Sequence, residues 1–297
     1  MKTSVWLGET RGYLQDWLTQ VWVRTTGRLA APDEYSWLHG PCGGTARIGE
    51  SFIEKLAAEE NLVIGTDLPG AGIFDSLDEI FSPDTGKLHP RIRDFYEHTS
   101  DYQLEVWSAW RGGFNLIGRV LSALFSRRLE QLNLPLRPLD TARGFRSRII
   151  KLYEPGSEQA RWTVWLRTSN DTGRVAFAGM YTHCVIPVER KKFFRLIFPL
   201  PNGSATVIME PRITPEGNLE LLSNGVKPGG SGFYFTLSDG EKFWIKFVRA
   251  MHEKLTVFVD TDGALRADHK FYFYGIRFLH LHYNMVRKDV VKGQLPV

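Results

Sequence analysis

From Phe145 onward the chain alternates with a period of two, in short runs separated by tight-turn residues. Eleven runs rich in β-branched and aromatic residues read as strands: 146–153, 161–168, 174–186, 192–198, 205–210, 218–223, 233–237, 242–248, 254–260, 265–274 and 276–285. Between them stand Asn170-Asp171-Thr172-Gly173, Asn202-Gly203, Glu216-Gly217, Asp239-Gly240 and Asp262-Gly263, which tolerate the positive φ of hairpin turns. Such short connections require antiparallel neighbours, because a parallel crossover needs a dozen or more residues. The pattern argues against a doubly wound α/β fold. A meander of about ten strands tends to curl, since an open sheet leaves two adhesive edges. The expectation is a β-barrel or a strongly curved sheet. No internal repeat points to a propeller or solenoid.

The part before Phe145 has a helical period. Leu14, Trp17, Leu18, Val21 and Trp22 fall on one helical face, and Ile48, Phe52, Leu56 and Ala57 on another. Pro90 opens a short helix carrying Ile92, Phe95 and Tyr96. Ser100 and Gln103 have the spacing of a capping box, which predicts a helix through Tyr102, Val106, Trp107 and Trp110. Gly112-Gly113 bends that helix, and a longer one follows with Phe114, Ile117, Leu121, Leu124, Phe125 and Leu129, until Pro135 and Pro138. The fold class is thus α+β, with a helical region at 1–140 packed on an antiparallel β-domain at 141–297. Several strands are apolar on both faces: Trp162, Val164 and Leu166 share one face of a run whose other face holds Trp165. A wall wetted on one side would alternate apolar with polar. The helices should therefore cover part of the outer wall, and the two regions should fold as one unit.

The 297 residues are 43% hydrophobic and 24% charged, which excludes a mainly disordered chain. A net charge of +4 is too mild to imply a nucleic-acid partner. Two cysteines, Cys42 and Cys184, are too few for a disulfide framework. Glu9, Arg11 and Asp16 interrupt the apolar residues near the start, against a signal peptide, and no run of about 18 apolar residues appears. The expected location is the cytoplasm.

Familiar chemical motifs fail on spacing. Gly40-Pro41-Cys42-Gly43-Gly44-Thr45 lacks the Lys of a phosphate loop. Gly70-Ala71-Gly72 meets Asp75 where a dinucleotide fingerprint needs its third glycine. Asp260-Thr261-Asp262-Gly263 has its glycine too early for a calcium loop and reads as a hairpin turn. His280 and His282 point the same way on a strand, but no carboxylate follows to complete a metal set. Asp268 and His269 are neighbours and so face opposite sides of a strand. No metal and no cofactor are expected.

The strongest charge feature is the stretch 119–151, with Arg119, Arg127, Arg128, Arg137, Arg143, Arg146, Arg148 and Lys151 against Glu130 and Asp140. Few aromatic platforms stand among these arginines, which argues against nucleic acid. An anionic ligand head or an acidic membrane surface suits them better. Nine Trp, ten Tyr and nineteen Phe supply an apolar lining with polar tips. The sequence therefore predicts binding of a hydrophobic, anionic small molecule, lipid- or polyketide-like, in a barrel cavity. The candidate ligand residues are Arg143, Arg148, Trp165, Tyr181, His252, His269, His280 and His282. Two alternatives stay open: an isomerase- or cyclase-like enzyme acting on such a molecule, and a non-enzymatic interaction protein with a filled core and a basic docking surface.

Overall fold

A computed structural model describes residues 14–44, 48, 50–66, 68–114, 145–170, 173, 175–238 and 242–288. The period-two half forms eleven strands that match the eleven predicted runs one for one: β4 (Phe145–Tyr153), β5 (Ala160–Ser169), β6 (Val175–Val185), β7 (Lys192–Leu200), β8 (Gly203–Ile213), β9 (Leu219–Leu222), β10 (Gly232–Ser238), β11 (Phe243–Phe247), β12 (Met251–Val259), β13 (Leu265–Phe273) and β14 (Ile276–Arg287). Three more come from the first part: β1 (Arg28–Ala30), β2 (Val63–Thr66) and β3 (Tyr102–Trp110). Among the described residues four α-helices accompany them, α1 (Leu14–Thr26), α2 (Glu50–Glu59), α3 (Asp78–Phe81) and α4 (Pro90–Glu97).

Every pairing between these strands is antiparallel. The main path runs β2-β4-β5-β6-β7-β8-β9-β12-β13-β14-β3, while β10 branches from β8 to pair β11, and β11 pairs β1. The path begins at β2 and ends at β3, so the described ladder is an open sheet and not a closed barrel. It nevertheless bends around one core: Ile149 of β4 and Trp165 of β5 share a cluster with Tyr102 and Leu104 of β3 and Met285 of β14, from the other end of the path. Burying one face of so long a sheet against itself removes apolar area from water without a second sheet.

Alternation fixes which residues face that core. Ile149, Trp165, Phe194, Val207, Leu221, Val257, Ala267 and Met285 point inward, each from a different strand. Ile92, Phe95 and Tyr96 of α4 enter the same cluster, so this helix packs on the concave side. The segment ahead of α4 runs so close to it that a Cβ on Gly72 would meet the backbone of Tyr96 and Glu97 within 2.4 Å, which only glycine allows. The outward face of β4–β7 is covered as the two-sided strands predict. Phe52, Ile53, Leu56 and Ala57 of α2 pack on Ile150, Trp162, Val164, Leu166, Met180 and Ile197.

Three expectations are corrected. The capping-box spacing at Ser100 does not start a helix; a short 3-10 turn, Thr99–Asp101, leads into β3 instead. Tyr102, Leu104, Val106 and Ser108 are buried in strict alternation, and the run Tyr-Gln-Leu-Glu-Val already carries that period. The first helix forms but turns differently: Asp16, Gln20 and Val23 are buried, while Trp17, Leu18 and Trp22 are exposed. Its short packing surface, where Val23 meets Leu237 and Trp244, selects that face over the more apolar one. The third concerns the expected barrel or strongly curved sheet: the described strands form an open path that ends at β2 and β3, which leaves the curved sheet of the two. The predicted helix beyond Phe114 and most of the basic stretch lie outside the described residues.

Candidate functional site

The concave core is not filled. A cavity of about 90 Å³ lies between α4 and the sheet, walled by Phe95, Tyr96, Leu104, Leu196, Met209 and Leu255, among others. Into this apolar wall project five side chains with chemistry: Trp165 and Arg167 of β5, Tyr181 of β6, His269 of β13 and Tyr283 of β14.

Arg167 sits two residues after Trp165, so strand alternation sends it to the same inward face. It is 5% exposed. Its guanidinium carbon lies 5.1 Å from the ring centre of Phe145, 5.6 Å from that of Trp165 and 5.9 Å from that of Tyr283. Such faces attract a cation through the ring quadrupole. Burial pulls the guanidinium below its ordinary pKa, and the phenols of Tyr283 and Tyr181 partly offset this, Tyr283 by accepting a hydrogen bond from it. An arginine keeps its proton regardless, so the cavity carries a fixed positive charge. Burial also pushes the Tyr181 and Tyr283 phenols upward, against the pull of the arginine charge. Both therefore stay protonated at physiological pH and can donate.

Across the cavity, His269 Nε2 is 3.0 Å from Glu253 Oε2. Glu253 is 6% exposed, and its backbone N–H donates to Ser223 Oγ at 2.8 Å, which fixes the strand behind the carboxylate. The imidazole stacks on Phe271 with ring centres 4.0 Å apart. A carboxylate and a packed ring thus hold the imidazole against the cavity, in the arrangement that orients a histidine for proton transfer.

The candidate residues from the sequence divide by strand parity. Trp165, Tyr181 and His269 line the cavity. Arg148 does not: it lies on the face of β4 that carries Ile150, opposite the Ile149 face. His252 is likewise opposite Glu253 on β12, with Nδ1 3.2 Å from the carbonyl of Ser223. His280 and His282 do point the same way, but outward, where Nε2 of the first and Nδ1 of the second lie 2.9 and 2.8 Å from the same Asp268 oxygen. Arg143 lies outside the described residues. Lys151, the last charge of the basic stretch, is buried in an ion pair with Asp75 and serves the scaffold. Among the described residues no group of three or more His, Cys, Asp or Glu side chains is placed to hold a metal ion.

Sequence reading missed Arg167, Tyr283 and Glu253. The signal was present as parity. Arg167 shares a face with Trp165, and Tyr283 shares one with Leu279 and Leu281, so a charge and a phenol were already written on apolar faces.

The fold and this site define a class: an open, strongly bent antiparallel sheet around a small cavity with one buried cation. No family model matches the chain, and no solved structure matches it. The chain is similar to the uncharacterized membrane protein YndJ of Bacillus subtilis (strain 168), with 30% identity over 251 residues, which cover 82% of this chain and 42% of that protein. The chain therefore spans well under half of that relative's length. A cytoplasmic location, expected from the sequence, is overturned by this finding, since the similar protein is named a membrane protein. Among the described residues no helix is long and apolar enough to cross a membrane.

Proposed function

We propose that the chain binds a small molecule with an anionic head and an apolar body, held in the cavity behind α4. The observation that supports this most is Arg167: a permanent charge kept in an apolar cavity, ringed by aromatic faces and two donating phenols. Desolvating a guanidinium costs several kcal/mol. An incoming carboxylate or phosphate offsets that cost with two parallel hydrogen bonds. The size of the cavity limits the ligand. About 90 Å³ is well below the roughly 300 Å³ at which ordinary ligand pockets begin, so it fits a few heavy atoms or the end of a longer chain. A lipid-derived ligand also agrees with the name of the similar protein, which places that relative at a membrane.

A second reading is favoured by one distance, the 3.0 Å contact between His269 and Glu253 at the cavity wall. A histidine oriented by a carboxylate, facing a ligand whose charge is fixed by Arg167, is equipped to move a proton on that ligand. Isomerisation or cyclisation would follow from that chemistry.

Isothermal titration with propionate, benzoate and octanoate tests the binding. The full chain should bind at least one of them. The Arg167→Met variant should bind it about 10- to 100-fold more weakly, the worth of a charged hydrogen bond. Equal affinity in both proteins would exclude Arg167 as the anion contact. If binding is found, a His269→Gln variant that binds normally but no longer exchanges the α-protons of bound propionate or octanoate in heavy water would favour the enzymatic reading.

A further inference from the structure

The turn between β13 and β14 breaks a local rule. Phe273 pairs with Ile276 across two residues, and both central positions have positive φ, +48° at Tyr274 and +79° at Gly275. In this mirror-image hairpin turn the first central place belongs to Asn, Asp or Gly, because a bulky side chain is strained there. Among the described residues the other non-glycine positions with positive φ, Asn61, Arg190 and Asn202, do not occupy the first central place of a two-residue hairpin turn. Tyr274 gains little from the fold in return: it is 78% exposed, with an edge contact to Phe273 at 4.9 Å. Phe273 and Ile276 are exposed beside it. A rule broken at cost, with little gain for the side chain inside the molecule, points to a gain outside it.

Two neighbouring connections flank the turn. The N–H of Tyr274 donates to the carbonyl of Ala250, which brings up the β11–β12 connection with Arg249; the N–H of Arg111 donates to the carbonyl of Phe278, which brings up the end of β3. Arg111, Arg249 and Arg277 are all exposed. Arg111 and Arg277 also border a surface recess floored by Tyr272, Gly275 and Ile276. Residues 109–114, 248–251 and 272–278 contain these three arginines and no acidic residue. The tip therefore joins exposed aromatic and aliphatic groups to positive charge without a counter-charge of its own.

We propose that this turn docks the protein on an anionic lipid bilayer, with Phe273, Tyr274 and Ile276 entering the boundary between headgroups and acyl chains while Arg111, Arg249 and Arg277 meet lipid phosphates. Tyrosine suits that boundary because one end is apolar and the other wet. Arginines set beside an apolar tip match the negative potential of acidic lipids. A protein partner fits less well, since three side chains on one turn fall far short of the roughly 800 Å² per partner of a stable interface.

Co-sedimentation of the full chain with vesicles tests this, using equal parts phosphatidylglycerol and phosphatidylcholine against phosphatidylcholine alone. The wild-type chain should partition onto the anionic vesicles preferentially. Arg277→Gln should weaken that partition about fivefold and leave the neutral vesicles unaffected, given about 1 kcal/mol per basic side chain at such a surface. Tyr274→Asn should also weaken it about fivefold while raising Tm, because asparagine relieves the turn. That opposite movement separates a docking role from a structural one. Absence of binding, equal binding to both vesicle types, or unchanged binding in both variants would overturn the proposal. Self-association that Tyr274→Asn abolishes, without vesicle binding, would assign the turn to a second copy of the chain and overturn it as well.

Discussion

On the outer face of β13 and β14, Asp268 accepts from both His280 and His282 and lies 3.9 Å from Lys270. Burial pushes its carboxyl up, but the bonds from His282 and His280 and the nearby positive charges bring it below the usual aspartate range. A carboxyl lowered on folding adds stability that is complete above its unfolded value of about 4 and disappears as pH falls through the folded value. Asp268→Asn should therefore cost about 1–2 kcal/mol near neutral pH, with the gap to wild type closing below about pH 4 in urea melts. A gap independent of pH would mean that the aspartate acts through shape alone. Arg167 is the inverse case. It is buried among rings and phenols, so the neutral isostere in Arg167→Met should leave stability unchanged or higher while binding falls.

At the scale of elements, α2 shows why two-sided strands need a cover. Leu56 is buried between this helix and the outward faces of β4 to β7. Leu56→Ala should destabilise the chain by about 2–5 kcal/mol in chemical denaturation. A loss below about 1 kcal/mol would mean that the helix rides loosely on the wall. The period-two runs after Phe145 were legible because alternation and five turn segments of hairpin chemistry mark them off, and the eleven strands match them. Two signals misled. At Ser100 a local capping spacing competed with the alternation of Tyr102, Leu104 and Val106, and pairing with β14 decided in favour of the strand. In α1 the apolar stripe was real, but which stripe is buried depends on where a helix meets β10 and β11, which its own residues do not encode. Trp165, Tyr181 and His269, named from the sequence by residue type, line the cavity, but the parity that puts them there was not worked out from the sequence. The His280–His282 pair drew attention by type, whereas parity relative to Leu279 and Leu281 turns it away from the core.

Across the whole molecule, strands from the first part form both ends of the described sheet: β2 pairs β4 and β3 pairs β14. A fragment of residues 141–297 would expose the outward face under α2 and the open edge of β14. Expressed alone, it should aggregate or bind a hydrophobic dye strongly, and a monomeric fragment with dispersed amide resonances would show that the two parts fold separately. The same architecture sets the cavity where strands from both ends of the path meet under α4, so the site exists only in the complete sheet. Native mass spectrometry of the full chain purified from its own host tests the central claim most directly. A small anionic molecule should accompany the wild-type chain and be lost from Arg167→Met. A ligand-free spectrum for both proteins, or the same bound mass on both, would contradict it.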